Sequence, residues 1–198
     1  NKQETHLILN EGITIGGKPM REHLEVTNHG SAMEHVQRLV DSEADFTEDT
    51  IRQLHGIVLR GIDDEWAGRY RCEDVFISGS DHEPPQWAEV PRLMQELGQW
   101  LTSLDSQVLH PVVRAARVHL RVVHIPPVRA GNGRTARLAM NLLLMQRGYP
   151  IAVIRVEDRK EYFSALETGH VNGDLIPFTH FIAAQVSRQV MARFEAID

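Results

Sequence analysis

The run Pro126-Pro127-Val128-Arg129-Ala130-Gly131-Asn132-Gly133-Arg134-Thr135-Ala136-Arg137 gathers the residue types of this chain best suited to chemistry. Pro126 and Pro127 cannot continue a helix arriving from upstream. Gly131 and Gly133 let backbone N–H groups come close to a ligand. From Thr135 to Met145 the residues are good helix formers in a nearly continuous apolar run. A Gly-Asn-Gly turn that opens a helix presents free N–H donors at the positive end of the helix dipole, which is an anion site, most often for phosphate. Arg134 and Arg137 add planar donors that match phosphate oxygens. The plainer alternative is a loop whose glycines only permit a tight helix entry, with its arginines in solvent.

The surroundings of this run are basic. Between Ser106 and Val156 there is no Asp or Glu, whereas Arg114, Arg117, Arg121, Arg129, Arg134, Arg137, Arg147 and Arg155 all fall there. The whole chain carries a net charge of −6, which argues against nucleic acid as the main partner, although the local concentration leaves backbone phosphate binding open. The 11 histidines are scattered, with no pair at zinc-site spacing. The single cysteine, Cys72, excludes an internal disulfide and fits a reducing compartment. No apolar run is long enough for a membrane span and no secretory signal is visible, so the expected location is cytoplasmic.

With 198 residues, 42% of them apolar and 24% charged, the chain fits one domain over 1–198 with a substantial core. Apolar periodicity predicts helices over about 1–12, 20–39, 45–61, 89–102, 109–124, 133–145 and 157–169, and a last one carrying Phe178, Ile182, Val186 and Val190. A turn or short strand is expected over 12–17. Thr47 reads as an N-cap, and Gly148-Tyr149-Pro150 as a stop. Tyr70, Cys72, Val75 and Ile77 suggest a short β-hairpin between Trp66 and Pro85. The expected fold is therefore all-α, a bundle of about eight helices with one short β-hairpin.

The segment Gly131-Asn132-Gly133-Arg134-Thr135-Ala136-Arg137-Leu138 resembles the core of the Fic (Fido) signature, His-Pro-Phe-x-Asp/Glu-Gly-Asn-Gly-Arg-x-x-Arg. The resemblance continues in His23-Leu24-Glu25-Val26-Thr27-Asn28-His29, Gly68-Arg69-Tyr70-Arg71, His110-Pro111-Val112, Gly148-Tyr149-Pro150 and Asp158-Arg159-Lys160-Glu161-Tyr162, and so spans nearly the whole chain. It implies a Fic-type bundle whose hairpin, the flap, aligns a protein target by strand pairing; Val75, Phe76, Ile77 and Ser78 are the candidates for that edge. It also implies nucleotide binding, usually of ATP, at Gly131, Asn132, Gly133, Arg134 and Arg137. Tyr162 would pack near the base, and His170 stands where the family often has an Asn that touches it. Many relatives carry an upstream inhibitory helix whose Glu pairs with the second arginine of the motif, here Arg137. That motif would precede Glu4-Thr5-His6-Leu7, ahead of this chain's first residue.

The departures from the signature bear directly on chemistry. The family's catalytic His falls on Pro126, its Phe on Val128 and its acidic Mg²⁺-binding residue on Ala130. Proline has no titratable group and cannot act as a general base. Alanine offers no side-chain oxygen to a hard cation. His124, two positions earlier, is a substitute base only if a shift of several ångströms is tolerated. Arg129, at the mouth of the loop, could offset phosphate charge in place of Mg²⁺. Three readings follow: a degenerate Fic protein that keeps the nucleotide loop and has lost most or all AMPylation; an active transferase with altered donor or chemistry, since Fic relatives also transfer uridylyl, phosphocholine and phosphate groups; and a protein- or nucleic-acid-binding module. Whether the chain forms a homodimer is left open.

Overall fold

A computed structural model describes residues 20–196. The helix expected over 1–12 and the turn over 12–17 lie outside the described residues. Eight α-helices follow in order: α1 Met20–Asp41, α2 Glu48–Leu59, α3 Val90–Thr102, α4 Leu104–Gln107, α5 Pro111–His124, α6 Asn132–Met145, α7 Arg159–Val171 and α8 Ile176–Glu195. A single 3₁₀ turn, Trp87–Glu89, leads into α3.

Helix α6 is the centre of the bundle. Leu138, Ala139, Met140, Leu142, Leu143 and Leu144 are all buried, so little of its circumference meets water. Each buried leucine contributes roughly 2 kcal/mol of apolar transfer. Helix α5 is its main partner, and α2 and α1 pack on it as well, while α7 and α8 pair with each other and α8 closes over α5. The polar Asn141 in α6 is satisfied, since its Oδ1 accepts from the Ala152 N–H at 2.9 Å and so ties down the segment that follows α6.

The punctuation is local. Thr47 caps α2 reciprocally with Thr50, each side-chain oxygen accepting from the other residue's N–H. Pro111 sits in the first turn of α5, where its missing N–H costs nothing. The stop after α6 uses Gly148 at φ 75°, a left-handed conformation suited to glycine.

The expected β-hairpin is not formed: among the described residues there is no strand, and 71–86 runs as an irregular, partly extended segment. Its two arms are fastened to different parts of the bundle. Near its start the Arg71 N–H donates to the Pro127 carbonyl at 2.9 Å. Near its middle Glu167 of α7 accepts from the Ser80 hydroxyl at 2.5 Å and from the Asp81 N–H at 2.7 Å. Side-chain anchors thus take the place of ladder bonds, and Pro84 and Pro85 remove two donors from the returning arm. The alternation that motivated the expectation is present: Val75 and Ile77 are half-buried, and Ser78 and Phe76 point outward, Phe76 with 93% of its surface exposed.

Candidate functional site

The loop from Pro126 to Gly131 is held by its backbone. Arg71 is buried under it, with its guanidinium donating to the carbonyls of Pro126 (2.8 Å), Glu73 (2.9 Å), Pro85 (2.5 Å) and Ile125 (3.4 Å). One side chain thereby ties the loop to both ends of the 71–86 segment. His55 of α2 is also buried; its Nδ1 accepts from the Gly68 N–H at 2.9 Å. Its Nε2 therefore carries the proton and donates to the Ala130 carbonyl at 3.0 Å. Burial holds the His55 imidazole below its ordinary pKa, which keeps it neutral in that role. Asn132 turns back and clamps Val128, its Oδ1 accepting from the Val128 N–H at 3.1 Å and its Nδ2 donating to the Val128 carbonyl at 2.7 Å.

Gly131 makes the turn into α6. It sits at φ 83°, and a β-carbon there would stand 3.3 Å from Val58 Cγ1. The first intrahelical bond runs from the Thr135 N–H to the Gly131 carbonyl, and no side chain caps the helix. The amides of Asn132, Gly133 and Arg134 are the uncapped donors that open the helix. Arg134 leans across this end. Its Nη2 lies 3.5 Å from Glu25 Oε1 of α1, and its Nη1 is buried without a hydrogen-bond partner among the described residues. A buried guanidinium nitrogen lacking an acceptor, beside free helix N–H groups, is the donor set a phosphate would complete.

Arg137, one turn further, lines a cavity of about 420 Å³ with Ile154, Arg155, Val156, Arg159, Tyr162 and Phe163. Tyr162 lines this cavity but is nearly buried: it is 4% exposed and packs against Phe178 and Phe181. Its hydroxyl lies 3.2 Å from Nε2 of the fully buried His119. The neighbouring Phe163 is the exposed aromatic, and it lines both this cavity and a second one of about 590 Å³. That second cavity brings Ile77 and Ser78 of the extended segment together with Arg159, Glu167 and His170 of α7.

Arg129 is engaged outside the loop, 2.6 Å from Glu73 and over the Trp66 ring at 4.8 Å. His124 and His170 join His82 in a cluster that spacing along the chain did not reveal. Ring centroids are 4.2 Å apart for His82 and His124, 4.9 Å for His82 and His170, and 5.4 Å for His124 and His170. His82 Nε2 donates to the His124 carbonyl at 2.8 Å, and His170 Nε2 to the Leu120 carbonyl at 3.2 Å. His124 keeps much of its area exposed, yet burial of its stacked face and the neighbouring imidazoles lower its pKa to about 4. An imidazole so disfavoured as a cation is a weak proton acceptor near neutral pH.

Pro126 and Val128 are buried, and Ala130 contributes to the site only its carbonyl, already taken by His55. No group of His, Cys, Asp or Glu among the described residues could hold a metal ion. The donors gathered at the loop, helix N–H groups and guanidinium nitrogens, suit an anion.

The centre of this all-α bundle thus holds an arginine-flanked Gly-Asn-Gly helix start, an arrangement suited to an anion. The chain belongs to the Fic/DOC family, whose profile matches residues 45–144. It is 38% identical over 189 residues to a protein adenylyltransferase Fic of Nematostella vectensis, covering 95% of this chain and 44% of that protein. The structure of Fic-1 (residues 134–508) from C. elegans superimposes with a TM-score of 0.85 at 32% identity, covering 100% of this chain and 58% of that one. The Bartonella tribocorum BepC protein, solved with bound AMPPNP, shares the fold at a TM-score of 0.59 and 18% identity, over 77% of this chain and 85% of its own. The chain spans less than half of the curated relative and somewhat over half of the C. elegans structure. No helix among the described residues is long and apolar enough to cross a membrane.

Proposed function

We propose that this chain is a nucleotide-binding Fic domain in which adenylyl transfer from ATP to protein hydroxyl groups is lost or strongly reduced. The observation that carries this reading is the pairing of an intact anion cradle with Pro126 and Ala130 at the two chemically decisive positions. The uncapped start of α6, the unpartnered Arg134 Nη1 and the cavity beside Arg137 support binding of a nucleotide's phosphates. The cavity between Ile77, Phe163 and His170 supports a place for its base. For transfer, a target hydroxyl must shed its proton as its oxygen attacks the α-phosphorus. Pro126 cannot receive that proton, and the nearby His124 is a poor acceptor in its stacked setting. A missing general base costs about 10²–10⁴-fold in rate. The names of the relatives support the ancestral reaction, and the outward Phe76 supports docking of a protein segment along 75–78.

The test is transfer of label from α-phosphate-labelled ATP to the protein itself and to cell lysate, with the Pro126→His, Ala130→Asp variant run beside the wild type. Label on the double variant alone is the expected result; label on the wild type at comparable rate overturns the reading. Calorimetric titration with ATP tests the cradle separately. Arg134→Ala should weaken binding about 10- to 100-fold, the worth of a charge-assisted hydrogen bond.

A further inference from the structure

The acid-free stretch carries more arginine than the nucleotide cradle uses. Arg129, Arg134 and Arg155 each have a carboxylate within ion-pair distance, namely Glu73, Glu25 and Glu157. Arg121 lies over the Trp100 ring. Arg114 and Arg147, like Arg117 and Arg137, have neither kind of partner among the described residues, and Arg114 and Arg147 line one cavity of about 610 Å³. That cavity lies at the C-terminal end of α6. The helix has 14 residues, so at 1.5 Å per residue the cavity is about 20 Å from the cradle at the other end.

Arg114 is built into this wall. Its Nε donates to the Ser106 hydroxyl at 3.0 Å and its Nη2 to the Leu101 carbonyl at 2.9 Å. The two bonds fix the plane of the guanidinium and leave Nη1 without an acceptor among the described residues. Arg147, exposed in the turn after α6, adds a second cation; burial and then the Arg147 charge both disfavour ionised Arg114. Two guanidinium groups sharing a cavity, one of them half-buried, repel each other until an anion lies between them. Around them are the amides of Gln107 and Gln146, and Phe46 and Leu101 supply an apolar side. Glu43 and Asp45 line the same cavity and disfavour a ligand of high negative charge, such as a triphosphate.

We propose that this cavity is a second binding site, independent of the nucleotide loop, for a small molecule carrying one phosphate or carboxylate group on an apolar or aromatic body. The anion would be gripped by Arg114 and Arg147, with the apolar part against Phe46.

The test is a heteronuclear NMR titration of the full chain with phenyl phosphate and, in a parallel arm, with benzoate; inorganic phosphate reports the anion without the ring. Saturable shifts of the Thr102, Gln107 and Gln146 amides below roughly 10 mM ligand are expected. The arm with the tighter response identifies phosphate or carboxylate as the preferred group. Arg147→Gln, at an exposed position that the core does not depend on, should weaken the response about tenfold, and Arg114→Gln at least as much. Arg134→Ala should leave it unchanged. Absence of saturable shifts in both arms, or equal affinity in wild type and Arg147→Gln, overturns the proposal.

Discussion

Replacing His119 with Phe should flatten the acid-induced loss of stability of this bundle. His119 is fully buried in α5, its Nδ1 has no hydrogen-bond partner among the described residues, and its ring packs against Phe178 at 5.0 Å. Burial first, and then the charges of Arg137 and His170, depress its pKa from 6.5 to about 3. In the unfolded chain the imidazole takes up a proton near its ordinary pKa; in the folded chain it stays neutral until far lower pH. Between those values the unfolded state binds more protons, so acid favours unfolding. The stabilising contribution is complete above about pH 6.5 and is lost as pH falls toward about 3. Linkage across that gap removes about 2 kcal/mol by about pH 5, relative to pH 8, from this residue alone. At a typical urea dependence this lowers the unfolding midpoint by about 1 M. His29, His55, His124 and His170 are also held below their ordinary pKa, mainly by burial, and add losses of the same sign. The informative quantity is therefore the difference in pH slope between wild type and His119→Phe, not the absolute stability, because the variant also leaves the Tyr162 hydroxyl without its partner. Urea unfolding followed by circular dichroism at several values between about pH 5 and pH 8 gives both slopes. Parallel slopes would refute the assignment of this burden to His119.

Two further expectations come from the mouth of the cradle. Glu25→Gln removes the carboxylate that occupies Arg134 at 3.5 Å, so ATP should bind about two- to fivefold tighter, the worth of a modest ion pair; calorimetry showing equal or weaker binding would count against competition between Glu25 and phosphate. Gly131→Ala places a β-carbon at φ 83° and 3.3 Å from Val58 Cγ1, and should cost about 1–2 kcal/mol in urea unfolding, whereas a loss below about 0.3 kcal/mol would show that the turn relaxes freely.

The legible part of this fold was the part governed by neighbours along the chain. The cap at Thr47, the stop at Gly148 and the apolar girth of α6 follow from local pattern, and each lies where that pattern puts it. Gly131 announced a turn into a helix, and its left-handed φ of 83° shows only in the structure. What stayed hidden depends on distant partners. Nothing near His55 says that it will bridge Gly68 and the carbonyl of Ala130, 75 residues on. Arg71 looks like a surface arginine until its carbonyl partners around residues 125 and 126 are placed. The alternation at 75–78 survives in burial, but the hairpin it predicted is absent, because the period of two is local and the existence of a pairing strand is not. The histidine cluster joins residues 82, 124 and 170 from three separate elements, so no spacing motif could betray it.

The frame of the site explains how a Fic domain can keep its cradle with different side chains at positions 126 and 130. Arg71 grips Pro126 through its carbonyl, and His55 grips Ala130 through its carbonyl. Arg71 also takes the Pro127 carbonyl through its own backbone N–H, and Asn132 holds Val128 by N–H and carbonyl alone. Every one of these bonds is made to main-chain atoms of the loop, which any residue supplies. The loop's shape is consequently set by Arg71, His55, Gly131 and Asn132, while the chemistry of the family's signature resides in side chains that do not support that shape. Under the proposed function, Pro126 and Ala130 supply neither a proton acceptor nor a metal ligand, while the main-chain bonds that position the start of α6 are in place. Under that same proposed function, anion binding by the helix N–H groups and Arg134 is separable from catalysis in this fold.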